Sequence, residues 1–210
     1  MTAILLKGGT VFDGVSLQRQ QVSVLVEDGI IRDVGPNISS HTANRVLDIG
    51  GSWLTPGFID VHSHADLAVL TGEQMENRSH SGVTTEIVAQ DGLGLAHAKG
   101  PAAEQMTEIL TPIAGDVTGW LFEGAGDYLN RVNSGAYARV GTLSPHGTIR
   151  AKVMGRKLDP ASNRDLEQMS ELFLRDMDEG ALGLSTGLSY PPALASNTQE
   201  IAFLLSQAGE

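Results

Sequence analysis

The chain contains no cysteine, which excludes disulfide bonds and thiolate ligands and leaves His, Asp and Glu to hold any metal. It has no apolar run long enough to span a bilayer. The opening residues Met1-Thr2-Ala3-Ile4-Leu5-Leu6-Lys7 lack the cationic stretch and the apolar core of a secretory signal. Basic residues are few: 14 Lys and Arg stand against 25 Asp and Glu, a net charge of -11. With no basic run to offset it, this balance predicts no nucleic-acid partner and no membrane partner. These absences together predict a cytoplasmic protein. Asn37-Ile38-Ser39 and Asn77-Arg78-Ser79 match the glycosylation triplet, but without a secretion route they read as chance. What is present is ordinary for a globular chain: 41% hydrophobic residues over 210 positions, enough for one or two domains with a sizeable core.

Residues 1–55 differ from the rest. Ala3-Leu6, Gln21-Val26, Ile30-Val34 and Arg45-Ile49 are short runs rich in apolar and β-branched residues, punctuated by Gly8-Gly9, Asp13-Gly14, Asp28-Gly29 and Gly50-Gly51. Val22, Val24 and Val26 alternate, and Asp28-Gly29 between two such runs signals a two-residue hairpin. This is a small all-β module. From Pro56 the pattern becomes strand, helix, strand, with strands expected at Gly57-Val61, Thr84-Val88, Arg139-Leu143 and Ala181-Leu184. That alternation predicts an α/β region with parallel strands. Ser162 followed by Asp165 predicts a helix with a capping-box start, with Leu166, Met169, Phe173 and Met177 on one face and Gly180 at its end. A further helix is expected from Ser196, with Gln199 three residues on. Gly92 to Gly115 reads as a long loop with a short helix.

The chemistry concentrates in Pro56-Gly57-Phe58-Ile59-Asp60-Val61-His62-Ser63-His64. Alternation on a strand puts His62 and His64 on one face, about 6.5–7 Å apart, a gap that one divalent ion bridges. A bare His-x-His is common by chance. The apolar strand leading into it, the Pro-Gly entry and Asp66 just beyond favour a metal site at a strand's C-terminal end, where α/β barrels carry their active sites. Asp91 ends the second strand and offers a hard oxygen donor to the same ion, although Asp91-Gly92 also makes a simple turn. His146 follows the third strand, where a metal ligand, a substrate contact and a loop hydrogen bond are all open. Ser185 and Tyr190 follow the fourth and suit a substrate loop. His41, His80 and His97 read as solvated surface residues.

The Pro56–His64 motif, Gly82-Val83-Thr84-Thr85, Pro145-His146-Gly147-Thr148-Ile149-Arg150 with Val153-Met154-Gly155, and Gly180–Leu188 with Tyr190-Pro191 together resemble the N-acyl-D-amino-acid deacylases of the amidohydrolase superfamily. The resemblance covers nearly the whole chain. It implies a partial β-sandwich domain at 1–55, followed at 56–210 by the first half, about four units, of a metal-dependent (β/α)₈ amidohydrolase barrel. It implies hydrolysis of the amide of a small-molecule N-acyl-D-amino acid to a carboxylate and a free D-amino acid, with Zn²⁺ or another divalent metal as cofactor. His62 and His64 match the first-strand ligands. Asp91 stands where familiar members carry a cysteine, which makes that donor harder. The general acid/base aspartate and two further histidines are expected beyond Glu210, so no catalytic residue is assigned within the chain. About 155 residues follow the β module, against about 250 for a full barrel. An incomplete chain, inactive alone or completed by association with a second chain, is therefore expected. The alternatives are a non-catalytic remnant and a cyclic amidohydrolase of hydantoinase or dihydroorotase type. The latter is disfavoured because no lysine lies near Ala181–Leu184.

Overall fold

The computed structural model describes residues 2–16 and 18–208. The chain divides into two units, one ending at Gly57 and the other beginning at Phe58.

The first unit is a mixed sheet of β1 (Ala3–Val11), β2 (Gln20–Glu27), β3 (Ile30–Gly35), β4 (Arg45–Asp48) and β5 (Trp53–Leu54). The strand order is β3-β2-β1-β4, with β5 also on β1. Strands β1, β2 and β3 are antiparallel, whereas β4 and β5 run parallel to β1. The hairpin between β2 and β3 turns at Asp28 and Gly29, both with positive φ (48° and 80°), the twist that a two-residue hairpin loop requires. Both faces of β2 are occupied. Leu25 packs with Ala3 and Leu5 in a small core, while Val24 and Val26 line an apolar cleft of about 570 Å³ with Leu6, Ile31 and Val34.

The second unit carries β6 (Phe58–Asp60), β7 (Val83–Val88), β8 (Arg139–Thr142), β9 (Ser144–Pro145) and β10 (Leu184–Ser185). All the pairings are parallel: β6 with β7, β7 with β8, and β9 with β10. The crossovers hold α1 (Ala68–Thr71), α2 (Met75–His80), α3 (Ala103–Ala114), α4 (Ala125–Asn133), α5 (His146–Met154) and α6 (Asn163–Asp178), and α7 (Thr198–Gln207) follows β10. This is the βα alternation of a partial barrel. Val69, Val88, Leu95, Met106 and Tyr128 form its main core, and Ile149 with Met169, Phe173 and Leu204 ties α5, α6 and α7 together. Ile59 on β6, Val61 just beyond it and Leu182 just before β10 remain 60%, 70% and 61% exposed. Among the described residues, no helix is long and apolar enough to cross a membrane.

Local chemistry sets the element ends. The capping box of α6 forms as expected: Ser162 Oγ accepts from the Asp165 amide, and the Asp165 carboxylate accepts from the Ser162 amide. Helix α7 is capped one residue later than Ser196, by Asn197, whose side chain accepts from the Glu200 amide. The stretch expected as a loop from Gly92 to Gly115 contains the 12-residue helix α3, with Pro112 tolerated in its last turn. The fourth strand is shorter and later than Ala181–Leu184: it spans Leu184–Ser185, with Gly183 before it at φ 156°.

Candidate metal centre

Strand β6 ends at Asp60, so His62 and His64 lie in the bend that follows rather than on the strand. Asp60 makes the bend: its Oδ1 accepts from the His62 amide at 3.2 Å, and the Ser63 amide donates to the Ile87 carbonyl of β7 at 3.2 Å. The two rings sit edge to face with centroids 5.7 Å apart. From the end of β7, Asp91 joins them. Its Oδ2 stands 3.3 Å from His62 Nε2 and 3.3 Å from His64 Nε2.

The segment bearing Asp91 is a strained turn. Ala89 and Asp91 have φ of 61° and 56°, and Gly92 between β7 and the loop has φ 73°. Left-handed backbone at a residue with a side chain costs on the order of 1–3 kcal/mol and persists only where neighbours over-determine it. Here the neighbours are many. Gln90 Nε2 donates to the Val61 and Ile87 carbonyls at 2.8 and 3.0 Å, stitching the ends of β6 and β7. The buried Asp66 carboxylate accepts from the Ala89 amide at 3.0 Å. Burial pushes the Asp66 carboxyl up to about 7, since the ionised form loses its water and the amides of Asp66 and Ala89 offset only part of that loss.

The chemistry of this donor set fits a divalent ion. Two imidazole nitrogens and one carboxylate oxygen, all within 4.8 Å of one another, are the one such group among the described residues. Bonds of about 2.1 Å to a tetrahedral ion place donors about 3.4 Å apart. The two 3.3 Å separations match that edge, and the His64 one is also a hydrogen-bond contact. His64 and Asp91 also form the rim of a cleft of about 500 Å³ walled by Leu93, Ile109, Pro112 and Ile113 and flanked by Tyr190 and Pro191.

The other expected site residues are distributed differently. The Tyr190 hydroxyl donates to the Asp91 carbonyl at 2.6 Å, and burial followed by the Asp91 charge raises its pKa. Ser185 is 6% exposed and lies beneath the turn, where its Oγ accepts from the Gly92 amide at 3.1 Å and donates to the Ala89 carbonyl. His146 is fully buried at the start of α5, with Nδ1 2.9 Å from Thr186 Oγ1 and Nε2 2.8 Å from Glu200 Oε1. Both ring nitrogens are thus paired, one with the segment after β10 and the other with helix α7. Arg150 and Ser196 also donate to Glu200. Burial raises the Glu200 carboxyl, but these donors and the charges beside it outweigh burial and leave it below the usual range.

His41 and His80 are exposed, whereas His97, expected at the surface, is completely buried against Asp176. Its carboxylate partner lies 79 residues away, which no local pattern reveals. Sequence reasoning also missed Gln90 as the link between the two ligand-bearing segments.

A sequence model described as "Amidohydrolase family" matches residues 45–208. D-aminoacylase from Alcaligenes xylosoxydans xylosoxydans is 32% identical over 202 residues, which are 94% of this chain and 40% of that protein. A solved D-aminoacylase, studied for one-metal activation and second-metal attenuation in its binuclear centre, superposes with a TM-score of 0.83 at 30% identity over 98% of this chain and 44% of its own. An N-acyl-D-glutamate deacylase from Bordetella bronchiseptica, solved with zinc and a phosphonate mimic of the tetrahedral intermediate, superposes at 0.85 with 26% identity over 98% of this chain and 42% of its own. The chain thus spans about two fifths of the length of the curated relatives it matches. A family match across more than three quarters of the sequence, on a parallel βα sheet whose first two strands end in a His-His-Asp group, establishes that this chain belongs to the amidohydrolase family.

Proposed function

We propose that the chain is the ligand-bearing first half of a metal-dependent deacylase that hydrolyses the amide of N-acyl-D-amino acids, releasing a carboxylate and the free D-amino acid. The observation that carries the proposal is the convergence of His62, His64 and Asp91 just beyond the C-terminal ends of adjacent parallel strands, with both Nε2 atoms 3.3 Å from Asp91 Oδ2 and all three donors within 4.8 Å of one another. Similarity to D-aminoacylase and to N-acyl-D-glutamate deacylase over nearly the whole chain supports the substrate class. Zn²⁺ or a similar divalent ion, held by these three residues, supplies Lewis acidity and a bound water of lowered pKa.

The chain's own residues have separable roles. His62 and His64 offer neutral Nε2 lone pairs, and the Asp91 carboxylate neutralises part of the cation's charge. The Tyr190 ring and the apolar wall of Leu93, Ile109, Pro112 and Ile113 give the cleft beside His64 a dry surface for an aliphatic part of the substrate. That wall offers no cation to a carboxylate, so the substrate's α-carboxylate is assigned to the other side of the metal centre. The proton for the leaving amine is assigned to a group outside these 210 residues, brought by the remainder of a longer chain or by a second chain packed against exposed apolar residues such as Ile59, Val61 and Leu182.

The test is enantioselective turnover by the complete product of the gene. Release of free amino acid from N-acetyl-D-methionine, abolished by His62→Ala and by chelation and absent with the L-enantiomer, is the expected result. Equal rates on both enantiomers, or activity untouched by His62→Ala, overturns the proposal.

A further inference from the structure

We infer that Ser185 and Tyr190 are positioning residues of the metal centre: their hydroxyls lock the left-handed turn Ala89–Gly92 and so fix where the Asp91 carboxylate points. The inference rests on the reading of Asp91 as a metal ligand and adds what holds that ligand in place.

One side chain closes both ends of the turn. Ser185 Oγ donates to the Ala89 carbonyl and accepts from the Gly92 amide, leaving the hydroxyl no donor for a substrate. Tyr190 then takes the carbonyl of Asp91 itself at 2.6 Å. The three hydrogen bonds fall on three of the four residues of a turn that contains two non-glycine residues at positive φ.

The clamp has a stiff base. Ser185 lies on β10, paired with Pro145 of β9, so the ligand turn at the end of β7 is referenced to a separate two-stranded pair. The loop carrying Tyr190 is anchored by the buried Arg150, whose guanidinium donates to the Pro192 carbonyl at 3.0 Å and to Glu200 at 3.1 Å. Close approach is enforced by glycines. A Cβ on Gly147 would meet the Gly92 carbonyl at 2.7 Å, and one on Gly187 would meet the Asp91 carbonyl at 2.5 Å. No slack remains for the turn to relax toward these neighbours.

The test uses the 210-residue chain, with Zn²⁺ affinity measured by competition against a chromophoric chelator and the visible spectrum recorded on the Co²⁺-loaded protein. Ser185→Ala is expected to weaken Zn²⁺ binding about 10- to 100-fold, the range for partners that orient a ligand, and to change the Co²⁺ ligand-field bands. Ser185→Thr, which keeps a hydroxyl, is expected to restore both. Ser170→Ala, at a buried serine on α6, controls for general loosening and is expected to leave both readouts unchanged. Wild-type affinity and spectrum in Ser185→Ala, alongside weakened binding in Asp91→Ala, overturn the clamp while leaving the ligand reading standing. Unchanged binding in Asp91→Ala overturns the ligand reading and the clamp with it. If Ser185→Ala does not fold, Tyr190→Phe carries the same test through the Asp91 carbonyl, with the same two outcomes.

Discussion

His97 and Asp176 meet at 2.8 Å with neither side chain exposed, whereas His62 and His64 both stand 3.3 Å from one oxygen of Asp91 with their side chains 58% and 31% exposed. The functional groups are the same and the environments are opposite. Asp176 has its oxygens filled by His97, by the Ala125 amide at 3.0 Å and by Ser144 Oγ at 2.6 Å, which ties α6 to the start of α4 and to β9. His146 and Glu200 repeat that pattern with Arg150 and Ser196 as further donors. Asp91 Oδ2 instead faces two imidazoles at 3.3 Å, longer than the 2.8 Å buried pairs, beside an open cleft. A short, desolvated pair whose carboxylate oxygens are all engaged is scaffold, with His97 Nδ1 the one buried polar side-chain atom left unpartnered among the described residues, and a loose, half-wet trio is a place for a ligand.

The largest expected effect comes from breaking the scaffold kind. Asp176→Ala strips the acceptor from His97, Ala125 and Ser144 at once, and three buried donors left unpaired at about 1–3 kcal/mol each cost at least about 3 kcal/mol together. Urea denaturation should report a loss of that size. A loss below about 1 kcal/mol, the range of surface pairs, would erase the distinction between the two environments.

Asp66 sharpens the same contrast through pH, since it is buried yet lies next to the ligand segment. Its folded pKa of about 7 exceeds the unfolded value near 3.8. Between those two values the folded chain holds a proton that the unfolded chain has released. Stability therefore declines as pH rises from about 4 to 7 and levels off above, where burying the ionised carboxylate costs its full penalty. Asp66→Asn removes that dependence. In metal-free protein, the variant's stability relative to wild type should rise across this window by a few kcal/mol at most, at about 1.4 kcal/mol per pKa unit. A pH-independent difference would place the Asp66 carboxylate in contact with water.

Asp91→Cys probes the loose trio directly. Without metal, the change should cost only several tenths of a kcal/mol, because aspartate tolerates left-handed backbone slightly better than cysteine does. With metal, a thiolate is a softer donor than a carboxylate, so Zn²⁺ should bind more tightly and Mg²⁺ no better. Equal Zn²⁺ affinity for both chains would mean that position 91 serves the turn alone.

The parts legible in the sequence are those specified locally. Asp28-Gly29 makes its hairpin, Ser162 and Asp165 cap their helix, and the βα alternation after Pro56 gives parallel strands, because each depends on neighbours within a few residues. The His62–His64 pairing was legible for a partly different reason than alternation. The strand stops at Asp60, and an Asx turn rather than the pleat presents the two rings. What stayed hidden depends on partners far along the chain. His97 is buried by a carboxylate 79 residues away. Ser185 is recruited by a turn 93–96 residues before it. The left-handed φ of Ala89 has no local signature at all, since alanine seldom adopts it without outside constraint.

The smallest expected effect on the fold is also the sharpest test of the comparison. His62→Ala with His64→Ala removes two exposed or half-buried rings whose ion-pair partner is the solvent-accessible Asp91. Surface changes of this kind shift stability by about 0.5 kcal/mol or less, so metal-free wild type and double variant should unfold at nearly the same urea concentration. Added Zn²⁺ should then stabilise wild type alone, since a ligand that binds only the folded state adds about 2.7 kcal/mol at one hundred times its dissociation constant. If the metal-free double variant is destabilised as strongly as Asp176→Ala, the trio is scaffold like its buried counterparts. If Zn²⁺ stabilises both proteins equally, the ion is held elsewhere.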